Sequence, residues 1–409
     1  MNDGSRAQTL NARCCIVGGG PAGMMLGVLL ARAGVDALVL EKHADFFRDF
    51  RGDTIHPSTL EVVHELGLLD DFLKRPHQEL RELRGWVGDA MVPVADFSHL
   101  PTRCKFIALM PQWDFLDFLA RHGHAYANFR LRMQAEVTGL IEEGGRIAGV
   151  RARTPEGQLD VRADLVVGAD GRHSTVRAAA GLETVDLGAP MDVLWLRLSQ
   201  RPGDPRQSLG RFDPGHIFVM IDRGDYWQCA FVIPKGGIDE VKGRGLDAFR
   251  AEVARVAPFL RDRVGEIAAW DDVKLLTVAV DRLRRWYRPG LLCIGDAAHA
   301  MSPIGGIGIN LAIQDAVAAA NILAAPLRRG PAALADLRAV QRRRELPTRL
   351  TQRGQVLIQN KVVRRVLAGA GAKPFRLPLP LRLLRDWPFL RRIPARLVGM
   401  GIQPEHIKI

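Results

Sequence analysis

A glycine triplet constrains this chain more than any other feature. Cys15, Ile16 and Val17 form a short apolar, β-prone run that leads into Gly18, Gly20 and Gly23, the spacing G-x-G-x-x-G. Met24, Met25, Leu26, Leu29 and Leu30 then recur as one helical face, Gly34 is placed to stop the helix, and a second apolar run, Ala37 to Leu40, ends on Glu41. A strand that turns sharply into a helix needs a residue without a Cβ at the turn, here Gly18. Gly20, with Ala22 beside it, lets the main chain approach a pyrophosphate, and Gly23 lets the helix lie close to the strand. The helix N-terminus adds free N–H groups and a positive dipole end. Glu41, followed by Lys42, stands where an acid accepts hydrogen bonds from ribose hydroxyls. Strand, turn, helix, strand and acid in this order predict an adenine dinucleotide as ligand, without deciding between FAD and NAD.

A chain of 409 residues can bury a substantial core and is expected to form two connected domains. Its five cysteines lack metal-type spacing and suit a reducing cytoplasm; Cys14 and Cys15 lie on the first strand and read as core, and no metal site is expected. The N-terminus shows no apolar signal region, and no apolar run long enough to span a bilayer is evident. The net charge of +12 is uneven: from Ala325 onward there are nineteen Lys and Arg against four acids, so the remainder is slightly acidic. That asymmetry argues against a nucleic-acid partner and assigns the basic character to the C-terminal region.

Along the chain, Arg51 follows the ribose acid, a helix is expected from Pro57 to Leu66, and Leu83 to Phe97 reads as strand. A helix begins near Gln112; Phe129–Met133, Val137–Ile141 and Ile147–Arg151 read as sheet, with Gly144 and Gly145 in a hairpin turn. Two further stretches repeat the logic of the first. Leu165, Val166 and Val167 run into Asp170 and Gly171, with Ser174 placed to cap a helix. Leu291–Ile294 run into Gly295 and Asp296, followed by His299, Pro303, Gly305, Gly308, Ile309 and Asn310 at the start of a helix expected to stop before Pro326. Asp296 can accept from polyol hydroxyls, while N–H groups near Gly308 to Asn310 face an electron-rich ring edge. Between these stretches, Tyr226–Ile233 alternates so that Trp227, Cys229, Phe231 and Ile233 share one face of a sheet expected to wall a substrate pocket. His299 reads equally well as a satisfied structural histidine.

Together the three stretches resemble the class A flavoprotein monooxygenases, the family of para-hydroxybenzoate hydroxylase, over roughly residues 12 to 325. The resemblance rests on Gly18, Gly20, Gly23 and Glu41; on Asp170-Gly171; on Gly295-Asp296; and on Pro303, Gly305, Gly308 and Asn310 as a Pro-x-Gly-x-x-Gly-x-Asn segment. It implies that Arg51 and Gln112 contact the flavin phosphate and ribityl chain, that Val137 gives an adenine-side backbone contact, and that Pro303 lies against the flavin ring. Pro303, His56 and Trp227, with Tyr226 beside it, are the candidates for catalytic residues that meet the substrate. The implied fold is an α/β, glutathione-reductase-type FAD domain (1–80, 101–182, 281–330), an inserted β-sheet substrate domain (81–100, 183–280) and a helical tail (331–409). The implied activity is hydroxylation of an aromatic or polycyclic natural-product-like substrate through a C4a-hydroperoxyflavin, with O2 and with NADPH or NADH as transient reductant. The alternatives are a flavin reductase or dehydrogenase on a lipid or isoprenoid, and a flavin-binding protein without turnover. A flavin halogenase would carry Trp-x-Trp-x-Ile-Pro; here Cys229 and Phe231 precede Ile233-Pro234 in place of the tryptophans.

The tail carries Arg342–Arg344, Arg364-Arg365 and Arg391-Arg392 among apolar residues, broken by several prolines. It is expected either as a solvated face of packed helices or as a patch that touches a membrane surface, on a cytoplasmic protein that is a monomer or homodimer.

Overall fold

The computed structural model describes residues 8–47, 54–205, 208–369 and 377–409. The expected contact at Arg51 lies outside them. Strand Gln8–Val17 lies inside an eight-stranded sheet, parallel to Ala37–Leu40 on one side and Gly157–Gly168 on the other. Phe129–Arg132 and Leu291–Cys293 extend the parallel part outward. Strands covered on both faces must be apolar throughout, which is why Cys14 to Val17 and Ala37 to Leu40 are buried without alternation. Helices Pro21–Arg32 and Gly308–Arg329 pack on each other beside this sheet. Glu136–Glu143 and Arg146–Thr154 form the expected hairpin. Both turn residues, Gly144 and Gly145, have positive φ (55° and 76°), as a tight hairpin turn requires.

A second, seven-stranded sheet runs in the order Lys274–Leu276, Met191–Ser199, Tyr226–Pro234, His216–Asp222, Leu209–Asp213, Glu82–Val87, Ala90–Asp96. Its last two strands come from far earlier in the chain and join by parallel pairing of Gly85 with Gly210. Trp227, Cys229, Phe231 and Ile233 do share a face, but helix Leu246–Val256 covers it with Phe249 and Val253. The opposite face, with Val193, Trp195, Ala230 and Val232, packs toward Ile304. Trp227 is therefore core rather than a substrate contact. It is fully buried, and its Nε1 donates to Asp204 Oδ2 at 2.9 Å.

Asp204 also receives Arg263 Nη1 (2.5 Å) and Nη2 (2.9 Å), a forked pair in which Arg263 is 3% exposed. Burial pushes the Asp204 carboxyl up, but the hydrogen bonds from Arg263 and Trp227 outweigh it and hold the group down at about 2.

The C-terminal region departs from expectation. The helix from Gly308 runs to Arg329 through Pro326, and Leu334–Ile358 continues for 25 residues through Pro347. Proline removes one intrahelical bond. Here the flanking Ala324 and Leu327 are buried, and so is Pro347, so packing holds these turns. Residues Ile304–Arg329 also have the length and apolar composition of a membrane span, contrary to the sequence reading; 78% of the apolar window is buried inside the protein, as in a core helix.

Asp204→Ala removes the forked partner of the buried Arg263, leaving it the single Nε contact to Asp262 at 3.2 Å and main-chain carbonyls. It is expected to lower stability by about 3–5 kcal/mol in denaturant titrations at neutral pH. The depressed Asp204 group stabilises the fold above its unfolded pKa, and that contribution fades as pH falls toward about 2.

Candidate functional site

The three sequence motifs meet. Gly18, with φ +105°, comes so close to the second motif that a Cβ there would stand 2.5 Å from Ala169 O and 2.8 Å from Asp170 Cα. At Gly23 a Cβ would stand 2.0 Å from Gly18 O, so the helix can approach the strand only as glycine. Gly20 is the exception: nothing lies within 4 Å of its virtual Cβ. Two glycines are required by packing, and the one between them opens onto free space at the first turn of helix Pro21–Arg32, the place for a pyrophosphate. The third motif closes on the same helix, because Gly295 (φ +58°) would bring a Cβ to 3.1 Å from Ala22 Cβ. Across the loops, Arg172 Nη2 lies 3.6 Å from Asp296 Oδ2, both partly exposed.

Glu41 is mostly buried at the end of its strand and is already engaged: Oε2 accepts from Gly19 N at 2.8 Å and Oε1 from His43 N at 3.1 Å. It thereby ties the glycine turn to the second strand. Lys42 beside it is exposed, and Val137 lies two residues past Ala135, whose N–H donates to Glu41 O at 2.8 Å. Asp170 uses its carboxylate on its own helix start, accepting from Ser174 Oγ and from Val176 N (3.1 Å). Burial raises its pKa in spite of those bonds.

The ring-side segment is held from two directions. Pro303 leads into Gly305 (φ +79°) and Gly306 (φ +62°), and Thr54 Oγ1 donates to Gly306 O at 2.9 Å. Asn310 Oδ1 accepts from His56 N (3.0 Å) and Thr59 Oγ1 (2.7 Å), while Nδ2 is buried with no partner among the described residues. Gly308, Ile309 and Asn310 form the first turn of helix Gly308–Arg329, so their N–H groups are unpaired within it. Strand Thr54–Ile55 pairs with Ile107–Leu109, which sets Gln112 at the start of its own helix nearby. His56 is thus brought to Asn310 but is fully enclosed. Its Nδ1 lies 2.8 Å from Val398 O, which makes Nδ1 the protonated nitrogen and Nε2 an acceptor without a partner among the described residues. Burial pushes the ring pKa down to about 4. Tyr226, by contrast, starts an interior strand of the second sheet opposite Ser199, with the Arg197 guanidinium 3.6 Å from the centre of its ring.

Two supports were not read from the sequence. Helix Leu334–Ile358 and the turn after it present Gln352, Gln355 and Gln359, three and four residues apart on a buried face. Gln355 Nε2 donates to Ser302 O and Ile304 O, both at 3.0 Å, Gln352 Nε2 to Ala300 O at 3.1 Å, and Gln359 Nε2 to Ser302 Oγ at 2.7 Å. Amides both donate and accept, so they satisfy loop main chain that no strand pairs. Their helical spacing was the available signal. The second support is Asp315, fully buried, which accepts from Gly295 N (3.0 Å), His299 Nε2 (2.6 Å) and Arg344 Nε (3.0 Å). His299 is therefore structural, and Arg344, expected on a solvated basic face, is 1% exposed.

The fold and the three-loop cradle define a protein that binds an adenine dinucleotide end to end. The family described as "FAD binding domain" matches residues 11–354. The 6-methylpretetramide 4-monooxygenase of Streptomyces rimosus is 34% identical over 93% of this chain and 91% of its own length. The rifampicin monooxygenase of Streptomyces venezuelae is 30% identical over 74% of this chain, which spans 61% of that protein. Among solved structures, the OxyS anhydrotetracycline hydroxylase of Streptomyces rimosus superposes with a TM-score of 0.73 at 23% identity, covering 95% of this chain and 76% of that one. PqsL of Pseudomonas aeruginosa superposes with a TM-score of 0.74 at 22% identity, covering 88% and 99%. The chain belongs to this FAD-binding family and is an FAD-dependent monooxygenase.

The glycines separate a packing role from a ligand role. Gly23→Ala is expected to unfold or strongly destabilise the protein with or without FAD. Gly20→Ala should leave the melting temperature of the flavin-free protein within about 2 °C of wild type, yet weaken FAD binding at least tenfold by fluorescence titration.

His56 makes stability pH-dependent. Its folded pKa, about 4, lies below the ordinary 6.5, so as pH falls below 6.5 the unfolded chain takes up a proton that the folded chain refuses. About 3 kcal/mol should be lost between pH 6.5 and 4, and denaturant midpoints of His56→Gln should lack that slope.

Proposed function

We propose that this monooxygenase hydroxylates a polycyclic aromatic substrate of tetracycline-like shape, with NADH or NADPH as reductant. The observation that carries the reading is the match over nearly the whole chain to a relative named for oxygenation of 6-methylpretetramide. In this reading segments 1–80, 101–182 and 281–330 hold FAD, and segments 81–100 and 183–280 hold the substrate. When bound, FAD supplies the redox and oxygen chemistry.

The chain's own residues bind, orient and enclose. Gly18, Gly20, Ala22 and Gly23 hold the turn that presents N–H groups to the pyrophosphate. Glu41, by fixing Gly19 N, sets the angle of the turn at the place where ribose hydroxyls would lie. Asp296, whose partner Arg172 is 3.6 Å away, accepts from the ribityl side, and Gln112 approaches the same chain. Gly308, Ile309 and Asn310 aim the positive end of their helix at the ring edge, and the free Asn310 Nδ2 adds a donor where negative charge would gather. Ile304, next to Pro303, packs on the apolar face of the second sheet that carries Trp195, Ala230 and Val232. Apolar surroundings on this side suit a fused aromatic substrate and exclude water from the reacting centre. His56, neutral because of its burial, acts from within the fold: its main-chain N–H holds Asn310 Oδ1 and so orients the Asn310 amide.

The relatives' names support oxygenation and not the oxygen-independent alternative on a lipid or isoprenoid.

The test is stopped-flow reduction of the FAD-loaded protein by NADH and by NADPH under argon, with a panel of fused-ring phenols. One compound is expected to accelerate flavin bleaching at least tenfold and, in air, to gain one oxygen atom by mass spectrometry. Equal turnover without oxygen would overturn the reading. Asp296→Ala should purify largely colourless; full FAD content would remove Asp296 from the site.

A further inference from the structure

Among the described residues, thirteen of the fifteen large exposed apolar side chains lie after residue 330. The densest run is the last helical stretch, Leu379–Asp386, Pro388–Arg391 and Arg392–Gly399. Here the usual orientation of an amphipathic helix is inverted. Ala395, Gly399 and Met400 face the protein, against Phe97 and Leu100 beside the second sheet's edge, and a Cβ at Gly399 would stand only 2.7 Å from Leu100 Cδ1. Small residues serve as the anchor, while the large ones point outward: Leu379 is 66% exposed, Trp387 54%, Phe389 55%, Ile393 60% and Leu397 51%. A helix that only needed to cap this core would bury its large side chains.

The charge on this surface narrows its partner. Arg382, Arg391, Arg392 and Arg396 make no ion pair with a carboxylate among the described residues; Arg385 pairs with Asp386 at 2.8 Å, Arg382 also acts on Asp386, and Arg391 acts on Asp96. A second copy of the chain would set the same arginines against themselves across a two-fold contact. Long arginine stems beside exposed Trp, Phe, Ile and Leu match the boundary between acyl chains and anionic headgroups.

We infer that residues 379–397 dock this protein on an anionic phospholipid surface. Val398, Met400 and Gly401, at and just beyond the end of this segment, line a small cleft together with Ile307, Asn310, Pro347 and Thr351, so the docked stretch is continuous with residues that reach Asn310. The docking does not depend on the proposed substrate.

Flotation of the full-length FAD-loaded protein with phosphatidylcholine vesicles, with or without 30% phosphatidylglycerol, tests it. Binding is expected only with phosphatidylglycerol and should fall steeply between 50 and 500 mM NaCl. Each basic residue near such a surface contributes roughly fivefold, so Arg392→Gln/Arg396→Gln should bind about 25-fold more weakly, and Trp387→Ser/Phe389→Ser at least tenfold. Unchanged melting temperature and flavin spectrum would show that both variants are folded. No flotation at low salt, equal flotation with neutral vesicles, or variants that bind like wild type would overturn the proposal. So would a lipid-independent dimer in light scattering that the Trp387/Phe389 variant abolishes. Flavin reduction in solution is a separate readout, so a failed docking test leaves the enzymatic reading standing, and the reverse.

Discussion

One buried carboxylate joins parts of this molecule that are distant in sequence. Asp315 accepts from the main chain of the Gly295 turn, from the His299 ring and from the Arg344 guanidinium, and Arg344 Nη1 reaches on to Gln403 O (3.1 Å) and Glu405 Oε1 (3.2 Å). Burial alone would raise the Asp315 pKa, but His299 and the Arg344 guanidinium, with their hydrogen bonds, lower it. An unpaired charge at such a position costs several kcal/mol, so the partners form a set and not a sum of independent contacts. The chain's last residues thereby hold the loop that carries Asp296.

This dependence explains why the cradle can be open where a ligand enters and still be well defined. Gly18 and Gly23 allow no side chain, and Glu41 clamps Gly19, so only the side facing Gly20 is left unfilled. On the ring side, Thr54 and the glutamines of the long C-terminal helix hold two consecutive left-handed glycines. Strained backbone at a binding site persists when its surroundings over-determine it.

The second sheet packs a different apolar cluster on each of its faces. One face is a closed core with the Arg263–Asp204 pair at its edge, and the other turns small and β-branched residues toward Ile304. Period-two alternation showed that Trp227, Cys229, Phe231 and Ile233 belong together. It could not show which face was covered, because that depends on where helix Leu246–Val256 folds back. Trp227 was accordingly misread as a substrate contact.

The strand–turn–helix at Gly18, the acid Glu41 at the end of the next strand and the three strand-to-loop motifs were legible in the sequence, because each is specified by neighbours within about thirty residues through strand length, turn chemistry and helix starts. Local pattern also placed the hairpin at Gly144-Gly145 and the cap at Ser174. Only the tertiary structure decided that His299 is structural, that Arg344 is buried while Arg382 and Arg396 are exposed, and that helices continue through Pro326 and Pro347. In each case the residue type fits two environments, and the choice falls to partners such as Asp315, roughly thirty residues from Arg344 along the chain but in contact with it in space.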